Sequence, residues 1–438
     1  MPFLENLWWL IVLIGVMILV HELGHYLAAR YFDVRIEVFS FGFGPRLIGF
    51  RRGETDFRLS LILFGGYVKM AGEQPGEESV NDPRAFLAKP RWQRFIIALA
   101  GPAMNVALAV ALLTGLFTVH YQQPPESVKQ AVIGHVFPDS PAAKAGLREG
   151  DRIVKIDEIE QPTWEDVILK EVASANRPLI LKVERQGQTF WTTLTPVLEE
   201  RTGLGYAGWA EQGEIQIANL TPGMPAEKAG LRRGDVLLSV DGQPIRSRYR
   251  LSEIIRASGG KPVTIEYLRD GRRHTVVVHP VYANLDGTPR WMIGVEPSHR
   301  LVITRLSLSE AFRESLRENA KHATLIFRFL RGIIERRLSP RSIEGPIGIA
   351  RLSGEAAREG WASFIFLMAV VSLNLAVFNL LPIPILDGGV MLVLLVEMAM
   401  QRELNQAVKE MVFKLGFVFL MAIVVFVLYN DIAKMLPG

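Results

Sequence analysis

The chain contains no cysteine. That excludes thiolate metal ligands, a cysteine nucleophile and disulfides. It leaves the compartment open, because cysteine-free domains work on either side of a membrane. A strong charge imbalance is lacking too. Forty-nine Lys and Arg against 45 Asp and Glu give a net charge of +4. The basic residues are spread out, so nucleic-acid binding is not implied. The N-terminus has no basic stretch, carrying Glu5 instead, and no small-x-small site follows its apolar run. A cleaved signal peptide is therefore not expected, and the first apolar segment should stay in the mature protein. Apolar residues are abundant, at 49% of the 438 residues. Mean hydropathy is +0.21, too high for a soluble enzyme, while the 21% of charged residues is too high for a wholly membranous one. A few spans joined to soluble modules fit best.

Four stretches are long and apolar enough to span a bilayer, at about residues 7–32, 95–119, 361–381 and 412–429. A shorter run at 390–400 holds Glu397 and reads as a helix against the bundle or in the interface. The loop between the first two spans is rich in Arg and Lys, and the loop between the last two carries Arg402 and Lys409. The N-terminal tail has neither residue, and the C-terminal tail has only Lys434. The positive-inside tendency then puts both loops in the cytoplasm, with both termini and the long segment between spans two and three outside.

The first span carries the most informative motif. His21-Glu22-Leu23-Gly24-His25 interrupts an otherwise apolar helical stretch. His21 and His25 fall one turn apart on one helix face, where two imidazoles can share a zinc ion. Glu22, adjacent to them, suits a general base acting on water. Charged groups at bilayer depth cost roughly 2.5–3.5 kcal/mol each on insertion scales, so they usually mark function. A chance H-E-x-x-H in a soluble loop carries little weight; in an apolar span, chance requires three polar groups buried for no purpose.

A catalytic zinc takes three protein ligands and keeps an open position. His120, His135, His274, His279, His299 and His322 lie outside the expected spans. Asp387 is the better third ligand. It ends the run Asn379-Leu-Leu-Pro-Ile-Pro-Ile-Leu-Asp387, before Gly388-Gly389. Pro382 and Pro384 forbid a continuous helix there, and the glycines allow the backbone close to a metal. An Asp before Gly-Gly is ordinarily a turn or cap, but Asp387 shares the cytoplasmic depth of the two histidines. Asn374 and Asn379 on the same span suit hydrogen bonds to substrate backbone or a developing oxyanion, and equally suit interhelical bonding. Asn105, in Gly101-Pro-Ala-Met-Asn105, reads as structural.

The external segment holds a repeat. PDSPAAKAGLREGDRIVKIDE at 138–158 matches PGMPAEKAGLRRGDVLLSVDG at 222–242. Two tandem domains follow, placed at 125–202 and 203–285. The pattern A-G-L-x-x-G-D-x-[IL]-x-x-[IV]-D resembles bacterial PDZ domains, which accept an extended peptide by strand addition. Peptide capture and simple bulk are both open. Residues 34–50 and 57–70 read as strands within a 33–94 region, either an ordinary cytoplasmic hairpin or a hydrophobic one dipping into the bilayer. Residues 305–338 read as a basic amphipathic helix on the membrane surface or against the bundle, and 386–411 as a cytoplasmic segment. The expected fold is thus a polytopic α-helical membrane protein of four transmembrane helices, with a membrane-associated β-hairpin region and two external PDZ-like α+β domains.

H-E-L-G-H in the first span, G-P-A-M-N in the second, N-L-L-P-I-P-x-L-D-G-G in the third and two PDZ units between them resemble the bacterial site-2 intramembrane metalloproteases, of the regulator of sigma-E protease type. The resemblance covers essentially the whole chain, including the segment Glu344-Gly-Pro-Ile-Gly-Ile-Ala350. It implies Zn2+ held by His21, His25 and Asp387, with Glu22 as catalytic base. It implies cleavage of single-span membrane proteins, such as a pre-trimmed anti-sigma factor, and of remnant signal peptides, in a bacterial inner membrane. It also implies a PDZ pair that excludes substrates with bulky external domains, and a membrane-reentrant β region. One departure is Val390, where many members carry histidine. A metal transporter would need further acidic or histidine residues on other spans, and an inactive PDZ adaptor would show a damaged triad; this chain fits neither.

Overall fold

The structure, a computed structural model, describes residues 2–73, 82–123, 125, 130–199, 203–284, 288–335 and 343–435. They fall into two compact units: Met1–Tyr121 with Arg305–Leu330 and Ile343–Gly438, and Gln122–Thr304 with Arg331–Ser342.

The first unit is helical. Among the described residues four helices are long and apolar enough to cross a membrane: Phe3–Tyr31, Arg91–Val119, Trp361–Asn379 and Gln406–Ala433. The second of these is central. Gly24 of the first helix has no room for a side chain, since a Cβ there would lie 2.3 Å from the Ala100 carbonyl oxygen. The two backbones therefore touch, the close approach that small residues permit between membrane helices. Ala109, Leu113, Leu116 and Phe117 pack the second helix onto Ala369, Leu373 and Val377 of the third. Leu13 and Met17 tie the first helix to Phe364 and Met368 of the third.

Pro382 and Pro384 break the chain after Asn379, and helix resumes at Asp387–Met400. Asp387 is thus the first residue of this short helix, one break beyond the end of the third span. Glu397 near the far end is 1% exposed and accepts from Lys409 Nζ at 2.6 Å and the Leu404 peptide N–H at 2.9 Å. That pairing anchors the short helix to the start of the fourth.

A long antiparallel hairpin, Ile36–Arg52 with Thr55–Met70, follows the first helix. Its base is buried, with Ile36, Phe39, Val68 and Met70 packed on Ala29 and Ile97. Its far end leaves Leu47, Ile48, Phe50 and Leu61 more than half exposed. Large apolar side chains rarely cluster on a surface facing water. The amphipathic helix runs from Leu308 to Ile334, and the last expected residues, 336–338, lie outside the described residues. It rests on the second helix through small and polar residues: Ala311 is fully buried and Ser315 Oγ meets Thr114 Oγ1 at 2.8 Å. Phe312, Leu316 and Phe327 stay exposed, as a lipid-facing surface would be.

The second unit holds the two repeats, and their shared motif has a shared physical cause. Asp151 accepts from Arg185 Nε and Nη2, both at 2.7 Å, and from the Arg148 peptide N–H at 2.8 Å. Asp235 does the same with Arg269 Nε at 2.7 Å, Arg269 Nη2 at 2.6 Å and Arg232 N–H at 2.7 Å. Both carboxylates are 1% exposed, a burial tolerable only with such full pairing. The expected boundaries need correction. Leu204–Tyr206 pairs with Val197–Glu199 and Trp209–Glu211 with Ile133–Val136, so the first domain runs past 202. Val295–His299 pairs with Ile215–Leu220 in the second domain's sheet, so that domain runs past 285. The repeated motif covers only the loop, short helix and following strand, and the closing strands are recruited by pairing alone.

Asp431 ties the fourth long helix to helix Pro346–Glu359. It is 3% exposed and accepts from the peptide N–H groups of Gly345 at 2.9 Å, Ile347 at 2.9 Å and Gly348 at 3.3 Å. It therefore satisfies the otherwise orphaned donors of that helix N-terminus. Asp431→Ala should destabilise the protein by about 1–3 kcal/mol, the cost of leaving such donors unpaired. Thermal unfolding in detergent should show a lowered Tm, with a smaller drop for Asp431→Asn; an unchanged Tm for the alanine variant would contradict this capping role.

Candidate metal centre

Three side chains from two separate helices converge. His21 Nε2 lies 3.1 Å from Asp387 Oδ2, His25 Nε2 lies 3.4 Å from Asp387 Oδ1, and the two Nε2 atoms are 3.2 Å apart. His21 and His25 are 7% and 9% exposed. Helix periodicity places both imidazoles on one face of the first helix. The proline break swings the start of the next helix back, so Asp387 meets them. Gly388 and Gly389 are required by this return, because a Cβ on either would lie 2.3 Å from the carbonyl oxygens of Leu381 and Ile383 respectively.

Each ring is aimed by a second contact. His25 Nδ1 is 2.8 Å from the Ile97 carbonyl oxygen, so that nitrogen donates and Nε2 keeps its lone pair. His21 Nδ1 is 3.3 Å from the Asn105 amide. Asn105 is fully buried, and its Oδ1 is without a hydrogen bond. The amide's oxygen and nitrogen exchange places on a half-turn, which would offer Oδ1 to a protonated Nδ1. Asn105, expected to be structural, lies within reach of an imidazole and is placed to position it. The available signal was an amide on an apolar span. Asn379 Nδ2 stands 3.5 Å from His21 Nε2, at the rim of the triad. Asn374 is half-buried and has no hydrogen bond to the triad. Glu22 faces the hairpin: a Cβ on Gly66 would lie 3.0 Å from Glu22 Cγ.

This donor set suits zinc. Bonds of about 2.0–2.1 Å in a tetrahedron give ligand-to-ligand edges of roughly 3.3 Å, and the 3.2 Å between the two Nε2 atoms and the 3.1 Å from His21 Nε2 to Asp387 Oδ2 lie close to that value. Asp387 Oδ2 is buried and has no hydrogen-bond donor. Space is kept open by Gly101, where a Cβ would lie 2.3 Å from His25 Nε2 and 2.8 Å from His21 Nε2. A second His–carboxylate group among the described residues, His135 with Glu149 and Glu253, is different. Glu149 sits on its Nδ1 at 2.9 Å and Glu253 on its Nε2 at 3.5 Å. The carboxylates thus occupy both edges of one ring, and a single ion can engage only one ring nitrogen.

Comparison with known proteins is decisive at this point, since residues 9–423 match peptidase family M50. The chain belongs to that family. A protein of Ralstonia nicotianae assigned as a zinc metalloprotease is 34% identical over 457 residues, covering 96% of this chain and 97% of its own. The regulator of sigma-E protease RseP of Salmonella typhimurium is 29% identical over 453 residues, covering 99% of both chains. A crystal structure of the PDZ domain of an SdrC-like protein from Listeria monocytogenes is 20% identical, with a TM-score of 0.18, over 20% of this chain and 90% of that one. The M50 protein described here is a zinc metalloprotease, and Zn2+ is its cofactor. Val390, one turn after Asp387 on the short helix, makes no polar contact with the triad.

Two variants test the centre. Asp387→Ala should lose zinc along with activity, and metal content of the purified protein is the measurement. Gly101→Ala, which introduces one methyl group against both Nε2 atoms, should reduce bound zinc several-fold while the helices stay folded. Full zinc occupancy in either variant would move the site elsewhere.

Proposed function

We propose that this metalloprotease hydrolyses peptide bonds within or near the transmembrane segment of single-span substrates, in regulated intramembrane proteolysis. The observation that carries this is the depth of the triad: His21, Glu22 and His25 sit within a helix of membrane-crossing length and composition. Their ligand partner Asp387 stands at the break beyond another such helix. The substrates we assign are a membrane-bound anti-sigma factor already trimmed by another protease, and remnant signal peptides. The Salmonella relative's name, regulator of sigma-E protease, supports the first.

His21, His25 and Asp387 would hold the metal. When bound, zinc polarises a carbonyl group and makes water acidic enough to deprotonate near neutral pH. Glu22 accepts that proton and returns it to the leaving amine, the ordinary exchange of a general base for a general acid. Asn105 and the Ile97 carbonyl keep the imidazoles in register, and Asn379 is placed to bond an unwound substrate backbone. A helical substrate hides its peptide bonds and must be extended before attack. The hairpin beside Glu22 can hold it extended by strand addition.

Positive-inside bias places the catalytic end of the bundle toward the cytoplasm, and both termini and the PDZ-like domains on the periplasmic face of the inner membrane. We assign the PDZ-like pair the role of a filter that rejects substrates with bulky external domains.

Glu22→Gln should keep zinc and fold but lower cleavage of a single-span reporter by at least about a hundredfold, the low end of general-base contributions. The reporter should carry no external domain; near-wild-type turnover would remove Glu22 from the chemistry. Excision of residues 122–304 should permit cleavage of reporters that keep a folded external domain. Continued rejection of them by a zinc-loaded, active truncated protein would place selection in the membrane core.

A further inference from the structure

A cluster of charged side chains is buried at the end of the short helix remote from Asp387. Glu397 Oε1 takes the Lys409 ammonium and the Leu404 peptide N–H, and its Oε2 stands 4.0 Å from Arg91 Nε. Arg94, three residues after Arg91, is 4% exposed and its Nη2 donates to Glu403 Oε1 at 3.4 Å. The turn that leaves the short helix through Gln401, at φ 55°, is thus held from both sides, by Glu397 through Leu404 and by Arg94 through Glu403. A carboxylate as buried as Glu397 is costly unless it is paired, and such pairing is weak evidence for stability; its better-attested use is to fix one geometry.

The cluster joins the two helices that build the metal centre. Arg91 and Arg94 lie in the first turn of the second helix. One turn on is Ile97, whose carbonyl aims His25; about two turns on is Gly101, against both imidazoles. Asp387 opens the short helix that Glu397 holds, about 15 Å away at 1.5 Å per residue. The entry into that helix is strained. Ile385, two residues before Asp387, has φ 87°, and a β-branched residue keeps such a backbone only where its surroundings over-determine it. Gly388 and Gly389, pressed against the carbonyls of Leu381 and Ile383, hold the near end of the short helix. Glu397 holds the far end.

We propose that Glu397 is a positioning residue for the metal centre: clamped by Lys409, Leu404 and Arg91, it fixes the short helix against the second helix and so holds the Asp387 carboxylate at the two imidazoles. The inference rests on the reading of His21, His25 and Asp387 as the metal ligands. Without the clamp, the strain at Ile385 relaxes by swinging the short helix, and Asp387 moves off the histidine pair. Small displacements of this kind have large effects, because misplacing a group in a reacting constellation by about 1 Å can cost on the order of a hundredfold.

The test uses the full-length protein in detergent. Zinc affinity is measured by competition with a chelator, and the visible absorption of the Co2+-loaded protein reports the geometry of the ligands. Glu397→Gln keeps the side chain's shape and an acceptor for Leu404 but gives up the charge. It should bind zinc at least about tenfold more weakly and shift the Co2+ band. Lys409→Met should act in the same direction, and the double variant should lose no more than the worse single one, as members of one unit do. Asp431→Ala is the control for lost stability alone: it should lower Tm yet leave zinc affinity and the Co2+ band as in the wild type. Equal losses of affinity in Glu397→Gln and Asp431→Ala overturn the proposal. Asp387→Ala separates the two claims. If it retains zinc, the ligand reading fails and takes this inference with it. If it loses zinc while Glu397→Gln matches the wild type in affinity and Co2+ band, only the positioning role fails. Should Glu397→Gln not fold, Glu397→Asp decides, its carboxylate one methylene short of Lys409: weakened zinc binding supports the clamp, and wild-type affinity overturns it.

Discussion

The meeting of His21, His25 and Asp387 within about 3.4 Å of one another is the constraint on which the membrane-type unit depends. Three polar side chains cannot be left unpaired among apolar helices, because there is no water to solvate them. A shared cation, which we propose they hold, would resolve the problem, and the neighbours suit it. Gly24 lets the second helix approach so that Ile97 and Asn105 reach the imidazoles. Gly101 leaves the volume that the ligand atoms converge on. Gly388 and Gly389 let the chain fold back after two prolines to deliver the carboxylate.

Access to that centre is a separate matter from holding it. Glu22 faces the hairpin, where Gly66 offers backbone without a side chain. The hairpin's base is packed on the first helix while its far end carries bare apolar side chains. Such an element is stable only if something apolar surrounds its exposed half. It then presents extended backbone beside Glu22, the general base we propose, as a substrate strand would need. The Leu308–Ile334 helix follows the same logic, resting on small residues and exposing large ones.

The second unit solves a different problem with a repeated device. A buried aspartate gathers an arginine and a peptide N–H in each domain, and the two sites agree within about 0.1 Å. This accounts for the G-D signature without reference to ligand binding.

The four membrane-length helices, the hairpin, the tandem repeat and the placing of His21 and His25 on one helix face were all legible in the sequence. Each is written in local terms: a four-residue spacing on a helix, a long apolar run, alternating strand residues, a recurring motif. Asp387 was reachable because its prolines and glycines announce a break, although its place at the start of a new helix was not. What only the tertiary structure decided depends on residues distant in sequence. Asn105 lies 84 positions from His21, and nothing local says that its amide meets an imidazole. The outer strands of the PDZ-like domains were misplaced because pairing partners, not motifs, define them. The capping contacts of Asp431 were equally silent, since a carboxylate's meaning is set by the donors around it. Spacing along one element is a local property of the chain, whereas convergence between elements exists only once they have packed.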